Sequence, residues 1–278
     1  MNNTISLGFS PCPNDTFIFD AMVHHRIDTE GLDFEVHMGD VEELNQKAFK
    51  ETLDVTKLSY HAFLHLIPSY AVLNSGSALG NNCGPLLIKR SDTESKLLEE
   101  ATIAIPGAYT TANFLLHYAY PQIKETYEVL FSEIESLVQQ KKVDMGVIIH
   151  ENRFTYADRG FDKIRDLGAY WEEKTGLAIP LGGIMIKRSL PEAIRQKFQR
   201  VLRRSIQYAF DNPEASMDYV RAHAQEMDVE VMQKHIKLYV NQYSLDLGEK
   251  GKEAITHMYN YAVRKKMIVP QELDLFDA

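Results

Sequence analysis

Three times between Ile5 and Tyr70 a short strand-like run gives way to a stretch of helical periodicity, and that alternation limits the folds open to this chain. ISLGFS at 5–10 has the composition of a strand, and FIFDAMVHH opens a helix. LDFEVHMGD alternates apolar and polar residues with period two, as a half-buried strand does. VEELNQKAFKE repeats its apolar residues at helical spacing. LDVTKLS and YHAFLHLIPSY complete the third pair. Strands joined through helices pair in parallel, so the order predicts an α/β fold with a mostly parallel sheet covered by helices.

The pattern continues through the middle of the chain. ATIAIPG reads as a strand and turn, TTANFLLHYAY and SEIESLVQQKK as helices, and VDMGVIIH as a strand. From Pro191 onward the periodicity is helical, in PEAIRQKFQRVLRRSIQYAF, VEVMQKHIKLYV and KGKEAITHMYNYAVRKK.

With 278 residues, 45% of them hydrophobic, the chain can bury one large core or two of medium size. An internal echo divides it, because GPLLIKRSD at 84–92 resembles GGIMIKRSL at 182–190. Either two unrelated strands share a composition, or two neighbouring strands carry the chain out of a first domain and back into it. The second reading predicts a large domain from residues 1–88 and 187–278 and a small one from residues 89–186. It also predicts a ligand cleft between them that closes by hinge motion.

Several classes of function are disfavoured. The formal net charge is −9, and a nucleic-acid partner would call for a basic face. The N-terminus lacks the pattern of a signal peptide, and no apolar run approaches the ~20 residues that span a membrane. Cys12 and Cys83 form no CxxC pair, so a reduced, cytoplasmic protein is expected. His61 and His65 lie four apart on a predicted helix but lack the Glu of HExxH, and His24 and His25 are adjacent. With no GxGxxG and no GxxxxGK[ST], neither a metal nor a nucleotide cofactor is expected. The oligomeric state is left open.

In open α/β sheets, ligands bind beyond the carboxyl ends of strands, where free N–H groups and the helix dipole favour anions. Four turns fit that description. In SPCPNDTF two prolines restrict the chain, and Asn14 or Asp15 is suited to cap the next helix. Cys12 has no base nearby in sequence to make it a nucleophile. In TKLSYH, Lys57 and Ser59 offer donors to a carboxylate or hydroxyl, although Ser59 could simply cap a helix. In IPGAYTTANF, Gly107 permits a tight turn, and Thr110 or Thr111 caps a helix while the other hydroxyl is left for an anion. In VDMGVIIHENRFTY, His150 ends a buried strand, where an imidazole can serve as a general base or merely open a loop. Glu151 and Arg153 either orient that histidine or begin a solvated loop.

Together, SPCPNDTFIFDA, DVTKLSYHAF, PGAYTTANFLL and GVIIHENRFTY, followed by IPLGG, resemble the 1,4-dihydroxy-6-naphthoate synthase family of the futalosine route to menaquinone. The matches spread over roughly residues 5–190, and the C-terminal helices carry little signature. The resemblance implies a periplasmic-binding-protein-like (type II) fold of two α/β domains with an interdomain cleft. It implies a small anionic substrate, cyclic dehypoxanthine futalosine, cleaved to 1,4-dihydroxy-6-naphthoate without a cofactor. The family's proposed base falls on His150, and its substrate-binding turns fall on Lys57, Leu58 and Ser59 and on Thr110, Thr111 and Ala112. The helix starts after Asn14 and Thr110 would hold the carboxylate and hydroxyls. Chorismate dehydratase, a relative on the same fold, is the alternative enzyme, and a small-anion-binding protein without chemistry is the alternative of another class.

Overall fold

The computed structural model describes residues 4–94, 96–224 and 228–277. The predicted alternation runs as β1 (Thr4–Phe9), α1 (Pro13–Val23), β2 (Asp33–Met38), α2 (Val41–Phe49), β3 (Val55–Ser59) and α3 (Tyr60–Leu64). Helix α3 is shorter than expected: Pro68 has no N–H for a continued helix and disfavours helical backbone at Ile67. The chain then enters β4 (Tyr70–Val72) and β5 (Ala78–Gly80).

The next stretch contains β6 (Leu86–Arg90), β7 (Ile103–Ile105), α4 (Thr111–Ala119), β8 (Thr126–Glu128), α5 (Ile134–Gln139) and β9 (Met145–Ile148). It continues through α6 (Asn152–Thr155), β10 (Phe161–Asp166) and α7 (Leu167–Thr175). Strand β11 (Ile179–Lys187) leads to the C-terminal helices α8 (Glu192–Asp211), α9 (Met217–His223), α10 (Val229–Tyr239), α11 (Gln242–Leu245) and α12 (Gly248–Arg264).

Two compact units result, one of Met1–Gly80 with Pro180–Ala278 and one of Asn81–Ile179. The chain therefore crosses between units earlier than the expected 88/89 and 186/187. Pairing explains the difference. The first IKRS segment lies in β6, which bonds to β9 and β10 of the second unit, and the other lies in β11, which bonds to β3 and β4 of the first.

Among the described residues the first unit holds a six-stranded sheet in the order β2-β1-β3-β11-β4, with β5 also on β11. Strand β1 runs parallel to β2 and β3, whereas β11 is antiparallel to β3 and β4. The five-stranded sheet of the second unit has the order β10-β6-β9-β7-β8. There β7 is parallel to β8 and β9, and β6 is antiparallel to β9 and β10. The sheets are mixed rather than mostly parallel, because β6 and β11 enter them directly from the other unit. Parallel pairing needs a crossover, which those two strands lack.

Burial follows the sequence pattern. Phe198, Val201, Leu202, Ser205, Ile206 and Ala209 recur at helical spacing and form the buried face of α8. That face meets α1, which is buried along nearly all its length and is tied to α8 by the Ser205 hydroxyl donating to the Ile18 carbonyl at 2.6 Å. The core of the second unit gathers Leu86, Ile88, Ala104, Ile134, Val138 and Ile148.

Candidate functional site

Strands β1 and β3 are parallel neighbours, so their carboxyl ends lie at one edge of the sheet in the first unit. The turn after β1 is SPCPNDTF. Pro13 takes the first helical position, where its missing N–H costs nothing. The helix consequently starts ahead of both expected caps. Cys12 occupies the N-cap, and its carbonyl accepts the N–H groups of Asp15 and Thr16, each at 3.1 Å.

Asp15 is thereby released from capping and becomes a hub. Its Oδ2 accepts from the Ser10 N–H at 3.1 Å and the Ser10 hydroxyl at 2.7 Å. Its Oδ1 accepts from Asn14 Nδ2 at 2.8 Å and from Lys57 Nζ, on β3, at 2.7 Å. The Lys57 and Asp15 side chains are 9% and 1% exposed, so this is a buried ion pair whose lone pairs are met by further donors.

Asn14 is engaged at both ends of its amide. With Nδ2 on the carboxylate, Oδ1 faces Nε2 of His235 at 2.9 Å. Carboxylates only accept, so the assigned network puts the proton on His235 Nε2.

The remaining groups of this edge are Leu58 and Ser59. The Leu58 side chain is fully buried, which leaves its main chain as the part that could meet a ligand. Ser59 stands at the N-cap of α3 without making a capping bond. Instead, its N–H donates to Asn45 Oδ1 at 3.1 Å, and its hydroxyl accepts from Asn45 Nδ2 at 3.4 Å.

Opposite them on β11, Gly182 pairs with Ser59 and Gly183 with Leu58. A Cβ at Gly182 would come within 2.7 Å of the Leu58 carbonyl oxygen, and one at Gly183 within 2.7 Å of the Tyr60 hydroxyl. The glycines of IPLGG are therefore what lets β11 lie against this turn.

In the second unit β7 and β9 are parallel neighbours, and the turns that follow them share an edge. After β7, Gly107 adopts φ +141°, a left-handed conformation suited to glycine. Thr110 is the N-cap of α4: its hydroxyl accepts from the Asn113 N–H at 3.2 Å and donates to the Gly107 carbonyl at 2.8 Å. Thr111 and Ala112 begin the helix and are buried.

The first turn of α4 holds no acidic residue, whereas that of α1 holds Asp15. The positive end of α1 is thus answered by a carboxylate of its own first turn, and that of α4 is not. Beside it, Glu128 Oε2 accepts the Ala108 N–H at 2.9 Å.

After β9 comes His150. The strand ends at Ile148, two residues sooner than its apolar run suggested, and His150 sits in the turn with φ +57°. A non-glycine residue there costs on the order of 1–3 kcal/mol, and such conformations cluster at functional sites. The imidazole packs edge-on against Phe131, ring centres 4.9 Å apart.

Arg153 has partners in the framework of its own unit. It donates to the Gly84 carbonyl and, at 3.4 Å, to Asp166, the cap of α7, and so ties the loop to the unit's own framework. Glu151 is buried at the start of α6.

The structure thus gathers Asn14 and Lys57 on one carboxylate, with Ser59 at the same sheet edge, and sets Thr110, Thr111, Ala112 and His150 along the edge formed by β7 and β9. Sequence reasoning missed the hub role of Asp15, the Asn45 clamp and His235. An Asp two residues after Pro13, and so inside the first turn that Pro13 opens, was a usable signal. His235 had none, since it lies 221 positions from its partner. Among the described residues, no group of three His, Cys, Asp or Glu side chains could hold a metal ion.

Comparison with known proteins places these features in a wider group. The family model described as "Menaquinone biosynthesis" matches residues 5–264. A protein of Thermus thermophilus named 1,4-dihydroxy-6-naphtoate synthase is 44% identical over 98% of this chain and 98% of its own length. One of the same name from Streptomyces coelicolor is 40% identical over 96% and 95%. Among solved structures, a protein of Archaeoglobus fulgidus superposes with a TM-score of 0.90 at 35% identity, covering 96% of this chain and 99% of that one. The alkanesulfonate-binding protein SsuA of Xanthomonas axonopodis, at 10% identity and a TM-score of 0.72 over 98% of this chain and 96% of its own, shares the fold.

Proposed function

The chain belongs to the menaquinone biosynthesis family, and on that premise we propose that it cleaves cyclic dehypoxanthine futalosine to 1,4-dihydroxy-6-naphthoate in the cytoplasm, with His150 as the general base. The observation that carries this reading is the match, over nearly the full chain, to two relatives named for that product. The anion-suited turns at a sheet edge of each unit support it.

In this mechanism the first turn of α4, with Thr110, Thr111 and Ala112, receives the substrate's carboxylate. Lys57, the main chain at Leu58 and the Ser59 hydroxyl meet its hydroxyls, and Asn14 acts by holding the carboxylate that directs Lys57. A neutral imidazole at His150 takes a proton from a hydroxyl next to the scissile carbon–carbon bond. The bond opens in the manner of a retro-aldol reaction, and aromatisation of the naphthoate drives it forward. The protonated ring then returns its proton to the leaving fragment. A base so placed is worth about 10²–10⁴-fold in rate. No cofactor takes part.

Incubating the purified protein with cyclic dehypoxanthine futalosine and following naphthoate absorbance tests the proposal. Product formation is the expected result. Turnover of chorismate instead, or tight binding with no product, would overturn it.

A further inference from the structure

We propose that His235, on α10, is a positioning residue that fixes the direction of the Lys57 ammonium through Asn14 and Asp15. The inference rests on the reading of Lys57 as a substrate-binding group. A lysine head is a compact charge on a flexible stem, so in a binding site something else must aim it. Here the aiming group is Asp15, and each of its supports has a defined polarity.

Ser10 holds Oδ2 with two donors, at 3.1 and 2.7 Å. Asn14 Nδ2 holds Oδ1 at 2.8 Å, beside Lys57 Nζ at 2.7 Å. The Ser10 contacts come from the same turn as Asp15. The Asn14 amide differs, because it can present either its NH₂ or its oxygen to the carboxylate. Only the NH₂ is attractive to the carboxylate, and the amide oxygen on the other side is held by His235 Nε2 at 2.9 Å.

His235 is fully buried, and its ring lies 4.7 Å from that of Tyr239 on the same helix, tilted by 52°, so it is itself held. Helix α10 packs on α1, which carries Asn14 and Asp15. A chain of three hydrogen bonds therefore runs from α10 to the lysine of the TKLS turn. Without a donor at position 235 the buried amide oxygen loses its partner, and the carboxylate alone is left to hold the amide. Asp15 is then held by a looser partner, and the ammonium is free to swing.

The test compares His235→Leu, which removes the donor, with His235→Gln, whose amide N–H can take the place of Nε2–H; Asn14→Ala is a second break in the relay. Two readouts are taken on the full-length protein. One is the ¹⁵N resonance of the Lys57 ammonium, assigned by its loss in Lys57→Met and recorded without substrate. The other is kcat and KM for cyclic dehypoxanthine futalosine. The expected result is a shifted or exchange-broadened Lys57 resonance in His235→Leu and Asn14→Ala, with KM raised about tenfold and kcat changed much less. His235→Gln should restore both.

An unmoved Lys57 resonance in folded His235→Leu or Asn14→Ala would overturn the inference, as would equal losses in the Leu and Gln variants. If the wild type forms no naphthoate while the Lys57 resonance still responds, the functional reading fails and the relay stands.

Discussion

Lys57 Nζ on β3 and Asp15 Oδ1 on α1 lie 2.7 Å apart in the first unit, both side chains buried. The pair is worth little as a net source of stability, since desolvating both charges cancels most of their attraction. Breaking it is another matter, because the surviving charge is stranded. Asp15→Asn is expected to cost about 3–5 kcal/mol in urea unfolding. Asp15→Asn combined with Lys57→Met, which removes both charges, should be more stable than Asp15→Asn alone. Additive losses in the double variant would show that the two side chains are not coupled. Both variants should lose substrate affinity, so stability and activity separate in the double variant.

The close approach of β11 to the TKLS turn makes a second prediction. A methyl group at Gly182 would meet a main-chain oxygen, Leu58 O, at 2.7 Å and Lys57 Cε at 3.3 Å. A backbone atom in a paired strand cannot step aside cheaply, so Gly182→Ala should cost about 1–3 kcal/mol. Because the displaced atoms belong to the substrate-binding turn, KM should rise as well. Denaturant unfolding and steady-state kinetics on the same preparation check both.

A third prediction concerns pH. Burial pushes the Cys83 thiol up to about 12, with the carboxylates of Glu172 and Asp166 adding to it and Arg153 opposing. The sign follows from linkage: a group whose folded value is raised contributes stability that is present below its unfolded value, about 8.5, and lost as pH rises toward the folded one. In a Cys12→Ala background, Cys83 should be inert to a thiol-reactive disulfide at pH 8 while folded and react rapidly in denaturant. Further replacement by Cys83→Ala should lessen the decline in stability above pH 9. Rapid labelling of the native protein would contradict this.

The alternating strands and helices of the first seventy or so residues were legible because each element carries its own period, as in LDFEVHMGD and VEELNQKAFKE. The antiparallel entry of β6 and β11 was not, since strand direction depends on which unit a segment joins. For the same reason the IKRS echo marked the region of the crossings but not their positions. Thr110 was readable as a cap from local chemistry alone. Asp15 was misread as one because Pro13 moved the helix start forward. The link from His235 to Asn14 joins distant parts of the chain, and no local pattern encodes it. The φ +57° of His150 was equally invisible: histidine visits the left-handed region more often than most residues, but residue type alone does not say where.

That backbone geometry also shapes the most direct measurement of the proposed chemistry, turnover of cyclic dehypoxanthine futalosine by His150→Gly and His150→Ala beside the wild type. Glycine accepts φ +57° without strain and alanine does not, so the Gly variant should unfold at a higher urea concentration than the Ala variant. Both should bind substrate with affinity close to wild type and form naphthoate about 10²–10⁴-fold more slowly. Turnover near the wild-type rate in either folded variant would contradict His150 as the base.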